Sequence, residues 1–331
     1  MKTKRAFTLV EILVVIVIIG ILVTLVAVAV SGAMRQAKRG RIAIEMSQIA
    51  MALERYKAEF GEYPPDMFDD EALVRHVKKR WPRLDLAERT GTEIPEQATW
   101  IRERINDAYG KNVNFAGTGT STGGNLSSLG ALALWLGGFC NVDDRLSGFG
   151  ADPEDPFFTT DVANNTQRKD WVFDKKNLID GEVGNNKNVR FIGYGSGGDN
   201  VVPVIGNDIR DVFVPVVYFR GLSSGGHEAY LIADKNHAKS GQVKQFDFSD
   251  ADLGFCVPYA EEKNGEIIKW KNPTTFQLIH PGLDGKFGEP APEDPTKAPL
   301  RIITSGANIG PQDLDDLTNF SDYKELKSIL P

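Results

Sequence analysis

From Ile12 to Val30 the chain carries no charged residue, behind a start that holds Lys2, Lys4 and Arg5. That run is about the ~20 residues needed to cross the hydrocarbon core of a bilayer. It is longer than the apolar stretch of a secretory signal peptide, and Ser31-Gly32-Ala33 makes a poor cleavage site because helical periodicity continues through it. Next come apolar residues at Ile42, Met46, Ile49, Leu53, Tyr56 and Phe60, in steps of 4 and 3. This is one stripe on an amphipathic helix, with Arg41, Glu45, Gln48, Glu54, Arg55 and Lys57 on the other faces. Gly61 is a natural helix stop and Pro64-Pro65 forbids continuation. The pattern predicts a single helix from about Phe7 to Phe60, roughly 80 Å long at about 1.5 Å per residue.

Beyond residue 62 the pattern is broken up. Asp70–Trp81 and Glu96–Tyr109 carry enough helix formers to be helical, Asn112–Ser128 reads as a Gly/Thr/Ser/Asn loop, and "LSSLGALALWL" (126–136) as a short apolar helix for a core or a subunit contact. From Val189 the texture becomes β-rich: "VRFIGYG", "NVVPVI", "DVFVPVVYF", "EAYLIA", "LGFCVPYA", "TFQLIHP" and "LRIIT", separated by Gly, Asn, Asp and Pro clusters. The predicted class is α+β. A long N-terminal α-helix, one half transmembrane and one half amphipathic, packs on an antiparallel β-sheet, with a helical and loop-rich insertion and an irregular C-terminal loop. The corresponding segments are 1–6 (leader), 7–30 (transmembrane helix), 31–61 (stalk helix), 62–190 (insertion) and 191–331 (sheet and C-terminal loop).

Composition narrows the function. With 41% hydrophobic and 25% charged residues the chain is ordinary for a globular protein. Its net charge of -7 argues against general nucleic-acid binding. Basic residues flank the apolar run on both sides, with Arg35, Lys38, Arg39 and Arg41 after it, so charge does not orient the span. "GYGSGG" (193–198) fits G-x-G-x-x-G but is followed by Asp-Asn and two valines rather than a helix, so it reads as a turn. There is no phosphate-binding G-x-x-x-x-G-K-[ST]. His76, His227, His237 and His280 are scattered, and no Ser or Cys sits in a nucleophile elbow. Nothing in the sequence points to an enzyme. Cys140 and Cys256 read either as separate thiols or as a disulfide.

One charge does not suit a plain anchor: Glu11, inside the apolar run that opens at Phe7. A carboxylate within a membrane segment is costly and points to function. The stretch Ala6-Phe7-Thr8-Leu9-Val10-Glu11, followed by the bipartite helix and the Gly61-Glu62-Tyr63-Pro64 exit, resembles type IV pilins and the pseudopilins of type II secretion systems. The resemblance implies that a prepilin peptidase cuts between Ala6 and Phe7, the family's usual Gly being Ala6 here, and that Phe7 is then N-methylated. It implies that Glu11 meets the freed amine of Phe7 on a neighbouring subunit. The expected partners are copies of the chain and other pseudopilins in a helical filament, the peptidase, an inner-membrane assembly platform and the lipid bilayer, with the globular part in the periplasm. A type IV pilin for adhesion or DNA uptake and a non-polymerising anchored binding protein are the alternatives.

The C-terminal carboxylates bear on the choice. "HPGLDGKFGE" and "QDLDDLTNFSD" place Asp284 in a Gly-rich turn and crowd Asp313, Asp315, Asp316 and Asp322. Alone they read as a solvated acidic loop or as oxygen ligands for a hard cation. "GLDGKFG" with "DLTNF" is similar to the calcium loop of major pseudopilins. That resemblance implies Ca2+ held by Asp284 and Asp316, with carbonyls of Pro281, Thr318 and Ser321, and favours the secretion pseudopilus. Residues 289–311 stand as an insertion between the two halves of that loop.

Overall fold

The computed structural model describes residues 9–109, 130–139, 148–150, 152–157, 178–179, 204–209, 212–222, 225–232, 242–248, 254–289 and 299–331. The chain divides into two compact units, Met1–Ile44 and Glu45–Pro331.

Helix α1 runs unbroken over Leu9–Phe60, 52 residues. In the first unit its large apolar side chains from Leu9 to Val26 are 46–81% exposed. The segment is long and apolar enough to cross a membrane, and among the described residues none buries it. A helix apolar on all sides belongs in lipid or among other helices. Hydrogen-bonding its backbone internally is what allows such a segment to leave water.

In the second unit α1 becomes one-sided. Met46, Ile49, Ala52, Leu53 and Tyr56 are buried, while Glu54 and Arg55 face solvent. Phe60, the last residue of the predicted stripe, is half-buried. The helix ends where expected. Gly61 takes φ +75° and donates its N–H to the Lys57 carbonyl at 2.7 Å. A left-handed residue just past the last turn is the commonest helix terminator, and Gly adopts it without steric cost.

Among the described residues four further α-helices follow. Helix α2 (Asp70–Arg80) starts at Asp69, whose carboxylate accepts the Ala72 N–H at 3.1 Å. It carries Asp70 and Glu71 in its first turn and Lys78, Lys79 and Arg80 in its last, matching the helix dipole at both ends. Helix α3 (Leu86–Thr90) is capped in the same way by Asp85, and α4 spans Ile94–Tyr109. Helix α5 (Ala131–Gly137) is buried at every residue. The predicted short apolar helix is therefore a core element. Trp135 on α5, Trp81 after α2, Phe139, Phe149 and Phe157 stack around it with ring centroids 4.9–6.5 Å apart.

Among the described residues the β-rich part forms four small sheets rather than one. Strands β1 (Leu178–Ile179), β2 (Val204–Ile209) and β3 (Val212–Pro215) pair in order. Strand β4 (Val217–Arg220) pairs with β9 (Phe276–His280), which pairs with β11 (Leu317–Thr318). Strand β5 (Phe246–Phe248) pairs with β6 (Gly254–Cys256). Strand β7 (Tyr259–Asn264) lies between β8 (Ile267–Trp270) and β10 (Arg301–Ile302). The pairings are antiparallel except β10 with β7, which is parallel. Prolines divide the strands: Pro215 closes β3 and Pro258 separates β6 from β7, positions at which a ladder loses its N–H donor. Strands β4 and β9 are buried at every residue, so this pair is covered on both faces.

A buried polar seam joins the end of α1 to α2 and β4. The Tyr56 hydroxyl lies 2.6 Å from His76 Nε2 and accepts from Arg80 Nη1 at 2.5 Å. His76 Nδ1 is 3.2 Å from Glu62 Oε1, and Arg220 Nη2 donates to Glu62 Oε2 at 2.8 Å. Asp66 accepts from Lys244 Nζ at 2.6 Å and from the Arg220 N–H at 2.9 Å, and the Tyr218 hydroxyl donates to the Pro64 carbonyl at 2.7 Å. "VRFIGYG", "GYGSGG", Asn112–Ser128 and Cys140 fall outside the described residues. Cys256 is a buried free thiol.

Candidate assembly segment and C-terminal loop

Two regions carry the predicted site residues. At the N-terminus, Glu11 sits in the first turn of α1 and is exposed. An acidic side chain there is favoured by the partial positive charge of the helix end. Ala6 and Phe7 fall outside the described residues.

At the C-terminus, strand β9 leads into a turn over 281–285 with Gly282 at φ +66° and Gly285 at φ +77°. A side chain at Gly282 would collide with the Asp315 carbonyl and carboxylate. Asp315 Oδ2 accepts the N–H groups of Leu283 (2.8 Å) and Asp284 (3.1 Å), which fastens the turn. Asp284 itself is exposed and accepts the Lys286 N–H at 2.8 Å. Asp316, by contrast, is buried beneath β7, where Tyr259 donates to its Oδ2 at 2.7 Å. Asp313 accepts the same hydroxyl at 3.2 Å and the Gly310 N–H at 2.8 Å, and pairs with Arg301 Nε at 2.5 Å. Burial pushes the Asp316 carboxyl well above the ordinary carboxylate range, and the charge of Asp313 adds to it. Burial also raises Asp313, against the pull of Arg301.

The predicted calcium donors do not fit a common shell. The two carboxylates belong to different settings, Asp284 at the surface and Asp316 inside beside a guanidinium. The Thr318 carbonyl accepts the Tyr323 N–H at 2.9 Å and lies 3.0 Å from the Ser321 hydroxyl. The Ser321 carbonyl accepts the Lys324 N–H at 3.1 Å, and Pro281 is buried. Among the described residues no group of three or more His, Cys, Asp or Glu side chains is placed to hold a metal. Calcium takes six to eight oxygens at about 2.3–2.6 Å, and the Thr318 carbonyl already accepts two hydrogen bonds.

Sequence reasoning missed three residues of this region. Arg301 and Tyr259 had no local signal, since their partners lie far along the chain. Asn319 was quoted in "DLTNF" but given no role. Its side chain accepts the Leu278 N–H at 2.9 Å and donates to the Phe276 carbonyl at 3.1 Å, extending the β9 ladder where β11 has ended.

A membrane-length apolar helix with a carboxylate in its first turn, continuing into an α+β unit, defines the pilin-like class of filament subunits. Residues 1–32 match the family described as the prokaryotic N-terminal methylation motif. The type II secretion system core protein G of Klebsiella pneumoniae is 31% identical over 130 residues, covering 39% of this chain and 86% of that protein. Its namesake in Pseudomonas aeruginosa is 32% identical over 135 residues, covering 39% of this chain and 85% of that protein. That of Klebsiella michiganensis is 37% identical over 73 residues, 22% of this chain and 51% of its own length. No solved structure matches. The chain belongs to the type II secretion system core protein G family.

Proposed function

We infer that the chain works as a structural subunit of the pseudopilus of a type II secretion system, and that it acts by assembling rather than by catalysis. The observation that carries this is the first unit: an uncovered apolar helix behind a methylation motif, with Glu11 in its opening turn. The precursor waits in the inner membrane with its second unit in the periplasm. Prepilin peptidase removes residues 1–6, and the new N-terminal amine of Phe7 is methylated. An assembly platform then draws the subunit out of the bilayer. Its apolar helix exchanges lipid for the helices of copies of itself and of other pseudopilins.

Glu11 sets the register of that exchange. In a medium without water a carboxylate is strongly disfavoured unless an opposite charge meets it. The amine of Phe7 on a neighbouring subunit supplies that charge. Head-to-tail contacts of this kind do not close into a ring and so generate a filament. The test is the mass of the N-terminal peptide isolated from native membranes. A chain that begins at N-methylated Phe7 supports the reading; one that begins at Met1 or Lys2 makes this an ordinary anchored protein and refutes it.

A further inference from the structure

The C-terminal loop buries an ion pair that the sequence does not announce. Arg301, Asp313, Asp316 and Tyr259 are each 1% exposed. Arg301 sits on β10, in register with Tyr259 on the parallel strand β7, and its Nη2 donates to the Phe255 carbonyl at 3.2 Å. From there its Nε reaches Asp313 Oδ1 at 2.5 Å, while the Tyr259 hydroxyl touches both Asp313 and Asp316. Gly288 crosses directly over the pair. A Cβ on it would overlap both Arg301 Nη2 and the Asp313 carboxylate, so the backbone leaves room for these two groups and nothing more.

The position of Arg301 matters. It lies within residues 289–311, between the Asp284 turn and the Asp316 strand. Buried carboxylates need a counter-charge in place, because an uncompensated charge costs several kcal/mol. In a loop of carboxylates and carbonyls that counter-charge is ordinarily a divalent cation. Here a guanidinium already stands against Asp313, one turn from Asp316, and it would repel a second cation.

We propose that Arg301 fills the role of a divalent cation in the C-terminal loop, so that this subunit closes the loop with a charge of its own and folds independently of calcium. The inference rests on the second unit alone and stands whether or not the filament reading holds.

Thermal unfolding of the full chain in detergent micelles tests it. The wild type is expected to melt at the same temperature in calcium and in EGTA. A midpoint that falls in EGTA and recovers with calcium overturns the proposal. Terbium, a calcium mimic excited through nearby tyrosine, is expected to give no calcium-competed emission; a saturable, calcium-competed signal also overturns it. Arg301→Met is expected to melt about 10 °C lower in either condition. The double variant Arg301→Met/Asp313→Asn should recover part of that loss, since the amide carries no charge and still accepts the Gly310 N–H. An Arg301→Met chain that melts like the wild type refutes the role of the guanidinium. Should that variant fail to fold, the two wild-type measurements still decide.

Discussion

Protonating His76 is expected to loosen the second unit in mild acid, and the structure gives the size of the effect. The imidazole is 0% exposed, wedged between Tyr56 (2.6 Å to Nε2) and Glu62 (3.2 Å to Nδ1), with Trp135 edge-on at 5.0 Å. Burial pulls its pKa from 6.5 down to about 4, although the bond to Glu62 pulls the other way. His76 is therefore neutral at neutral pH. Glu62 sits at about 2: burial raises it, and the hydrogen bond from His76 with the charge of Arg220 more than offsets that.

The sign follows from proton uptake on unfolding. Between pH 6.5 and 4 the unfolded chain protonates His76 and the folded one does not, so stability falls as pH drops through that window. The shift corresponds to about 3 kcal/mol. Glu62, depressed in the fold, adds a further loss between about pH 4.5 and 2 in the same direction. The assay is urea unfolding of the full chain in micelles at a series of pH values, with His76→Gln as the control. Glutamine keeps a donor and an acceptor in place but does not titrate. The wild type should lose stability relative to the variant from pH 6.5 to 4, the gap between them widening by about 3 kcal/mol, because the raised Asp316 titrates in both and cancels in the difference. A variant with the same slope as the wild type would refute the reasoning.

Gly288→Ala should cost about 1–3 kcal/mol in urea unfolding, because its methyl group overlaps the Arg301–Asp313 pair; an unchanged midpoint would mean that the pair does not sit beneath this backbone. Asn319→Ala should cost about 1–3 kcal/mol by leaving the Leu278 N–H without its side-chain acceptor, read as a lower melting temperature and faster amide exchange at Leu278. Glu11→Ala should leave membrane insertion intact and abolish most filament assembly, scored by electron microscopy of sheared filaments; normal filaments would remove its register role.

What could be read in the sequence was whatever is written locally. The 3-and-4 spacing from Met46 to Tyr56 and the glycine at 61 mark α1 and its end, because a helix's face and terminator are set by residues within a few positions. The strands at "DVFVPVVYF", "TFQLIHP" and "LRIIT" also stand out by composition. Their partition into four small sheets does not, since β4 joins β9 and β7 joins β10 across long stretches of chain. The same distance hid Arg301, which meets Tyr259 from 42 positions away and Phe255 from 46. The acidic loop was visible as a set of carboxylates, but their division was not. Asp315 turns to the backbone of 283–284, Asp313 and Asp316 turn inward, and Asp284 faces out.

Relatives of the core protein G family align over 39% of this chain, so much added length must be carried without disturbing the filament-forming helix. The second unit suggests how. Trp81 after α2, Trp135 on α5, Phe149 and Phe157 form an aromatic cluster. Helix α2 meets the end of α1 through ring contacts of Tyr56 and Phe60 with His76 and through the Tyr56–His76–Glu62–Arg220 seam. An apolar contact tolerates sliding, whereas a buried chain of hydrogen bonds is satisfied in one arrangement and costly in others. Arg80 reinforces it, donating to Tyr56 and lying over the rings of Phe60 and Phe149. Helix α2 is thus tied to the last turns of α1 by bonds that one arrangement satisfies, and a subunit that must repeat along a filament needs such a fixed arrangement.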